Sequence, residues 1–174
     1  MKKLFISAGH SHTDPGALGS GASEADIALE FRDLLANALE ARGVQFQRDG
    51  LDGENLPLSQ SVKMAADADI AVEFHCNAFS NQSASGVETL SGPEHREIGA
   101  RICEVVSETL DIPNRGAKGE ASGQHSRLAF ISRGRGIIVE LFFISNPDDV
   151  EKYQRLKMAL AEELANLLAE VVRA

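Results

Sequence analysis

Short apolar runs along this chain alternate with longer segments in which apolar residues recur every three or four positions. The short runs are typical of strands, and the periodic segments are typical of amphipathic helices. The predicted strands are Leu4–Ser7, Val44–Arg48, Ile70–His75, Gly86–Leu90, Leu128–Ile131 and Ile137–Leu141. The predicted helices are Ala25–Arg42, Leu58–Ala68, Glu94–Leu110 and Asp148–Val172. The polar, glycine-containing stretches Asp49–Leu58 and Asn114–Ser126 are expected to form loops.

The order of these elements predicts an α/β fold, in which a single three-layer α/β/α domain has a central, mostly parallel sheet between helices. The chain contains no internal repeat, linker or low-complexity tract, so residues 1–174 are expected to form one domain. In parallel sheets of this kind, binding sites form beyond the carboxyl ends of the strands. We therefore expect the chemistry of this protein to lie at that edge.

The composition narrows the class of partner. The 174 residues include 26 acidic and 17 basic residues, which gives a net charge of −9. A negative field argues against nucleic acid or an anionic membrane surface as the partner. The two cysteines, Cys76 and Cys103, lack metal-binding spacing and are too few for a disulfide framework. The sequence does not predict an oligomeric state.

The amino terminus bears on where the protein is made. Lys2 and Lys3 are followed by only a short apolar run, whereas a secretory signal needs about 7–15 apolar residues. No segment of the sequence has the ~20 apolar residues of a membrane span. We therefore expect a chain that is made in the cytosol without a signal peptide and is not inserted in a membrane.

Four polar residues are expected at one edge of the predicted sheet. His10 follows the first strand, His75 ends a strand, Glu140 ends an apolar run, and Glu24 lies in the first turn of a helix. Two imidazoles and one carboxylate form a common zinc site with one position open for water, whose pKa the metal lowers to about 7. A second carboxylate nearby can accept the proton and return it to a leaving amine. This combination predicts metal-assisted amide hydrolysis.

Each of these residues also has a purely structural interpretation. A single histidine after a strand is more often a hydrogen-bond partner than a metal ligand. A glutamate at a helix start usually interacts with the helix dipole. A glutamate that ends an apolar run is less usual, because burying it without a partner is costly. The coincidence of several such residues at one edge favours the catalytic interpretation.

Several segments, in order along nearly the whole chain, carry a family resemblance. They are Ala8–His10, Asp14–Gly19 with Glu24, Phe74–Ala78, Gly86–Glu88, Asn114–Lys118 and Val139–Asn146. Individually the Gly-His and His-x-Asn pieces are weak, but together with Val-Glu-x-x-Phe-Ile-Ser-Asn they are specific. The chain resembles the zinc-dependent N-acetylmuramoyl-L-alanine amidases of the amidase-3 type.

The resemblance implies a role for each matched position. His10, Glu24 and His75 would bind Zn²⁺, and Glu140 would be the catalytic carboxylate. The implied substrate is peptidoglycan, and the implied reaction is hydrolysis of the amide between N-acetylmuramic acid and L-alanine. The whole of residues 1–174 would then be a single catalytic amidase domain. An amidase without a signal peptide resembles a phage endolysin that a partner protein releases to the cell wall; a mature form of an exported enzyme would look the same.

Two other functions stay open at this point. A zinc peptidase that cuts within the stem peptide would use the same ligands. A non-catalytic cell-wall-binding module with a degenerate site is the other alternative, although all four site residues are present.

Three further residues are predicted to bind substrate. His12 could contact the substrate or the oxyanion, Asn77 could hydrogen-bond the stem peptide, and Arg115 could meet its carboxylates, together with Lys118. The simpler alternatives are an exposed loop histidine for His12, a turn residue for Asn77 and a solvated charged loop for the two cations. His125 could flank the groove or be an exposed loop residue.

Position 7 departs from the family pattern, because Ser7 stands where members often have an acidic residue. Glu73 conversely occupies a position that is usually small or apolar, and strand alternation puts it on the same face as His75. Glu73 could therefore compensate by orienting a ligand. The alternative is that it pairs with an arginine or lysine on the sheet surface.

Overall fold

A mixed, six-stranded sheet forms the centre of the computed structural model, which describes residues 1–11, 13–51, 53–122 and 128–174. The strands of the chain are β1 (Leu4–Ala8), β2 (Leu18–Gly19), β3 (Ala22–Ser23), β4 (Phe46–Arg48), β5 (Ile70–Asn77), β6 (Val87–Ser91), β7 (Asn114–Gly119) and β8 (Ile137–Phe143). The order across the large sheet is β4-β1-β5-β8-β6-β7, and β2 pairs with β3 as a separate hairpin. Within the large sheet, β6 runs antiparallel to β8, and the other pairs are parallel.

Helices cover the two faces of the sheet unequally. They are α1 (Glu24–Ala41), α2 (Leu58–Ala66), α3 (Arg96–Leu110), α4 (Ala129–Ser132) and α5 (Pro147–Arg173). The long helices α1, α3 and α5 pack on one face, where alternate strand residues such as Ile6, Phe74 and Val139 are fully buried. None of the helices in the described ranges is both long and apolar enough to cross a membrane.

The other face is covered only over half of its length. The short helices α2 and α4 pack there on a small apolar cluster that includes Phe5, Ala71 and Ile138. Because strand side chains alternate, the next residues on this face toward the carboxyl ends of β5 and β8 are Glu73 and Glu140. The uncovered half of this face is therefore polar, and it carries the candidate site.

The predicted fold class is confirmed, and so are all four predicted helices, with ends that differ by a few residues. Ser23 caps α1, because its Oγ accepts a hydrogen bond from the backbone N–H of Asp26 at 3.2 Å. The carboxyl edge of the parallel strands is also where the predicted site residues lie.

Two sequence predictions are wrong. The segment Leu128–Ile131 is not a strand, because residues 129–132 form α4, whose Phe130 and Ile131 pack onto the sheet. A run of four apolar residues fits a buried strand and a buried helical turn equally well. The stretch Asn114–Ser126 is not simply a loop, because residues 114–119 form the edge strand β7. Its polarity is that of a sheet edge, where charged side chains reach water.

Candidate metal centre

Three side chains from separate elements converge at the carboxyl edge of β1 and β5. Nε2 of His10 lies 3.1 Å, and Nδ1 of His75 lies 3.0 Å, from Oε1 of Glu24. One potential ligand atom from each residue lies within 4.8 Å of the others. The structure thus brings together the three residues that the sequence suggested as metal ligands, and two imidazoles with a carboxylate are a donor set that Zn²⁺ accepts.

Glycines make room for this cluster. A Cβ at Gly9 would overlap the imidazole ring of His75, so the close approach of the ring requires glycine there. Gly16 has a φ of +66°, and a Cβ at this position would meet the side chains of Glu24 and His10. His10 itself has a φ of +63°, a conformation that is uncommon for residues other than glycine. Left-handed backbone at a residue of this kind is a frequent feature of functional sites.

Glu24 is held in its ionised form. It is the first residue of α1, and its carboxylate accepts hydrogen bonds from the backbone N–H groups of Ala17 at 2.9 Å and Cys76 at 3.0 Å. Burial alone would raise its pKa, but the hydrogen bonds from His10 and His75 outweigh that effect and lower the pKa well below its ordinary value.

Each histidine directs its second ring nitrogen to another carboxylate. Nδ1 of His10 lies 3.2 Å from Oδ2 of Asp14, and Nε2 of His75 lies 3.0 Å from Oε1 of Glu73. This is the arrangement that orients metal-binding histidines and raises their basicity. The carboxylates also raise the pKa of both histidines: the Glu24 hydrogen bond has the largest effect on His10, and for His75 the bonds to Glu24 and Glu73 outweigh burial.

Glu73 is the buried link between β5 and β1. Its Oε2 accepts a hydrogen bond of 3.0 Å from Oγ of Ser7, its register partner on β1. In the described part of the chain, the contacts of the Glu73 carboxylate are to Ser7 and His75, rather than to the arginine or lysine of the alternative interpretation. The position of Glu73 is the one from which it could orient His75.

A buried ion pair fixes the end of β1 beneath His10. Arg32 donates to Oδ1 of Asp49 at 2.8 Å, and both side chains are fully buried. Asp49 in turn accepts a hydrogen bond of 3.3 Å from the backbone N–H of Ala8. Burial raises the pKa of Asp49 to about 6 against the opposing effect of Arg32. This pair anchors the strand from which Gly9 and His10 extend.

Glu140 is the carboxylate nearest to this cluster on the neighbouring strand. It lies on β8, directly opposite His75 in the parallel register, and the strand continues beyond it to Phe143. Its Oε2 is buried and has no hydrogen-bond partner among the described residues. Burial raises the pKa of Glu140 to about 7, so it can take up and release a proton near neutral pH.

The residues themselves indicate that a divalent cation would fit. Among the described residues, Glu24, Glu73 and Glu140 lie around the two imidazoles of His10 and His75, and one buried oxygen of Glu140 lacks a partner. A cation bound by His10, Glu24 and His75 would supply the missing positive charge.

A fourth carboxylate, Glu88, lies opposite Glu140 on the antiparallel strand β6. It accepts hydrogen bonds from Asn77 Nδ2 at 3.1 Å, Arg115 Nε at 2.8 Å and Lys118 Nζ at 2.7 Å. Burial would raise its pKa, but these two cations lower it instead. Asn77 and Arg115, both predicted to bind substrate, therefore meet at one carboxylate beside the site.

Sequence reasoning placed Glu88 and Asp14 in segments that resemble the family but assigned no role to either residue. Glu88 lies within β6, all five of whose residues are buried, and a glutamate inside a predicted strand is the signal that could have drawn attention to it. Asp14 lies four residues after His10 in a turn, and nothing in the apolar pattern indicates that it reaches the histidine. His12 and His125 lie outside the described residues.

A cavity of about 260 Å³ opens on the β1 side of the cluster. His10, Glu73 and His75 line it at one end, and the loop 55–57 and α4 line the other. Part of the cavity wall is apolar, which is typical of a site that takes up an organic group. This part is formed by Leu56, Pro57, Leu58, Leu128 and Phe130.

The comparisons with known proteins agree with this geometry. Residues 4–170 match the family Amidase_3, N-acetylmuramoyl-L-alanine amidase. YqiI of Bacillus subtilis strain 168, an uncharacterised protein, is 30% identical over 158 residues, which cover 87% of this chain and 74% of YqiI. The N-acetylmuramoyl-L-alanine amidase LytC of the same strain is 27% identical over 169 residues, which cover 93% of this chain but 33% of LytC.

The fold is also found in a solved structure of similar sequence. A candidate N-acetylmuramoyl-L-alanine amidase from Neisseria meningitidis has 36% sequence identity and a TM-score of 0.90, and the alignment covers 99% of this chain and 97% of that one. In open α/β sheets, sites form beyond the carboxyl ends of the strands, which is where the polar cluster of this chain lies. Because the family match spans nearly all of its length, the chain belongs to the Amidase_3 family of N-acetylmuramoyl-L-alanine amidases, hydrolases of peptidoglycan.

Proposed function

We propose that this chain uses Zn²⁺ bound by His10, Glu24 and His75 to hydrolyse the amide between N-acetylmuramic acid and L-alanine. The observation that carries the proposal is the convergence of one potential ligand atom from each of these residues within 4.8 Å. The register of Glu140 with His75 adds a proton acceptor beside them. The family match supplies the bond that is cut.

Zinc held there would act as a Lewis acid toward the scissile carbonyl and the attacking water. Glu140 accepts a proton from that water and passes it to the departing nitrogen of L-alanine. Its partly dehydrated carboxylate, with a pKa near 7, is suited to both transfers. Glu73 and Asp14 hold the two imidazoles in orientation. Asn77, Arg115 and His12 are proposed to contact the substrate.

The first test separates catalysis from metal binding. Glu140→Ala should lower the rate of hydrolysis of purified cell wall by about 10²- to 10⁴-fold, because a general base contributes that much. Its zinc content should stay near one ion per chain. Glu104→Ala removes an exposed glutamate from α3 and serves as the matched control. Full activity of Glu140→Ala would end the assignment of this residue.

The second test concerns the ligands. His75→Ala should lose zinc, as measured by metal analysis of the purified protein, whereas His95→Ala, at the opposite edge of the sheet, should keep it. Retention of a full equivalent of zinc by His75→Ala would contradict the proposed ligand set.

Mass spectrometry of the released fragments distinguishes the two other functions. An amidase leaves glycan strands with intact lactyl groups and releases peptides that begin with L-alanine, whereas a peptidase leaves peptide remnants on the sugar. A binding module would adhere to cell wall without solubilising it.

Release through a phage-lysis system stays a prediction of the sequence.

A further inference from the structure

Two cations share one carboxylate beside the proposed catalytic residue. Arg115 and Lys118 both contact Oε2 of Glu88, at 2.8 and 2.7 Å. One lysine would be enough to neutralise a single glutamate, so this cluster carries a surplus positive charge. The surplus stands out in a chain with a net charge of −9 and with three more carboxylates nearby, which would otherwise repel an anion.

The two cations are partly exposed, whereas the glutamate that they contact is buried. The side chain of Glu88 is 7% exposed, whereas those of Arg115 and Lys118 are 39% and 30% exposed. Arg115 uses Nε for Glu88, and its guanidinium lies 4.9 Å from the ring centroid of Phe143. Among the described residues, its two Nη nitrogens have no hydrogen-bond partner. An arginine held in this way can offer its Nη groups to a carboxylate.

The position of the cluster relates it to the scissile bond. Glu88 and Glu140 are directly opposed on antiparallel strands, where Cα atoms lie about 4.5–5.5 Å apart. Arg115 lies one hydrogen bond beyond Glu88, so an anion on its Nη groups would lie on the β7 side of the proposed proton acceptor, within about two or three peptide residues of it. The cavity lies on the other side of His75, and the described residues that line it include no lysine or arginine.

We propose that Arg115 and Lys118, positioned by Glu88, form a carboxylate subsite that selects stem peptides whose second residue carries a free carboxylate rather than an amide. The stem peptide then extends toward β6 and β7, and the muramoyl group occupies the cavity beside Leu56 and Phe130. This inference rests on the proposed amidase function and adds the chemistry of the preferred substrate.

The experiment compares two fragments that differ in one group: N-acetylmuramoyl-L-alanyl-D-glutamate γ-methylamide, which has a free α-carboxylate, and the D-isoglutamine counterpart, in which that group is an amide. The γ-carboxyl group is blocked as a methylamide in both, so only one of them offers a carboxylate on its second residue. The zinc-loaded wild-type protein should have a kcat/KM about 10- to 100-fold higher for the acid, which is the range expected for hydrogen bonds between charged groups. Arg115→Gln should reduce the ratio to about 3-fold or less, mainly through KM for the acid, and Arg115→Lys should restore part of it.

The control is Arg101→Gln, which removes an arginine that pairs with Glu170 between α3 and α5, away from the site. Its ratio should equal that of the wild type. If the cations only neutralise Glu88, the wild type will cleave both fragments equally, or Arg115→Gln will lower both rates by the same factor, and either result overturns the proposal.

Failure of the proposed function gives a different pattern. If the zinc-loaded protein cleaves neither fragment, the amidase assignment is at fault, and titration calorimetry with Glu140→Gln then decides the subsite on binding alone. Tighter binding of the acid, weakened by Arg115→Gln and by high salt, supports the subsite. Equal binding of the two fragments, or no binding, overturns it.

Discussion

Glu88 and Glu140 are the same residue type, directly opposed on neighbouring strands, yet their surroundings are opposite. Glu88 receives hydrogen bonds from an asparagine, an arginine and a lysine, and the cations lower its pKa. Glu140 has a buried oxygen without a partner, and burial raises its pKa to about 7. The difference shows that burial and the presence or absence of cationic partners, rather than residue type, decide which carboxylate can exchange protons at neutral pH.

The largest expected effect is on turnover. Glu140→Gln should lower kcat on purified cell wall by about 10²- to 10⁴-fold, because the glutamine cannot accept a proton. Glu88→Gln should lower it by less than about 10-fold, because Glu88 contacts the cations and not the reacting atoms. Similar losses in the two variants would remove the distinction between the two carboxylates.

Metal removal should affect both variants in the same way. With zinc at about 100 times its Kd, the folded state gains about 2.7 kcal/mol, so chelation should lower the melting temperature measurably. The shift should be unchanged in Glu88→Gln and Glu140→Gln, since neither residue belongs to the proposed ligand set. Loss of the zinc-dependent shift in Glu140→Gln would instead identify Glu140 as a ligand.

In the metal-free protein, the Glu140→Gln and Glu88→Gln substitutions should change the free energy of unfolding in opposite directions. Glu140→Gln should raise the free energy of unfolding by about 1 kcal/mol at pH 8, because it removes a dehydrated charge, and Glu88→Gln should lower it by about 1–2 kcal/mol. The gain for Glu140→Gln should appear as pH rises from about 4.5 to 7, since a raised pKa penalises the ionised form. Denaturant titrations at pH 5 and 8 measure it, and destabilisation by Glu140→Gln at pH 8 would contradict it.

The smallest effect is on the pH profile. The kcat/KM of the zinc-loaded protein should fall at acidic pH, because Glu140 must be ionised to accept a proton. The midpoint of this fall should lie at or below pH 7, since burial raises the pKa of Glu140 to about 7 and a bound cation would lower it from there. The Glu88 carboxylate raises the pKa of Glu140, so Glu88→Gln should move this acidic limb to lower pH by a few tenths of a unit. Glu104→Gln is the control, and a shift toward higher pH in Glu88→Gln would contradict the prediction.

The sequence was sufficient to predict which residues meet at the edge of the sheet. His10 and His75 lie near the carboxyl ends of parallel strands, and Glu24 begins the helix that follows β3, so a parallel sheet puts all three at one edge. The family resemblance identified them as a set, and the pairing of β1 with β5 makes them neighbours. Strand order and register are not visible in a single sequence. Glu140 was expected one residue before the end of the predicted strand Ile137–Leu141, whereas β8 continues to Phe143 and its register puts Glu140 opposite His75.

What the sequence left out has a common physical origin. Glu88, Asn77 and Arg115 form one cluster only because β6 lies between β8 and β7, which brings together residues that are distant in the chain. A charged edge strand such as β7 looks like a loop, because its polar residues contact the sheet face and water instead of a core. The local pattern of apolar and polar residues indicates which side chains are buried, but it does not indicate which distant residues they contact.

Glu24 joins three parts of the molecule: its carboxylate binds the turn at Ala17 and the strand at Cys76, and its backbone begins α1. The three potential ligands are spread over the first 75 residues and come together only when β5 has docked beside β1. No short peptide from this chain can assemble the donor set during synthesis. A cation held by these three residues would therefore stabilise the docking of β5 beside β1, so that its binding would be coupled to folding of this part of the chain.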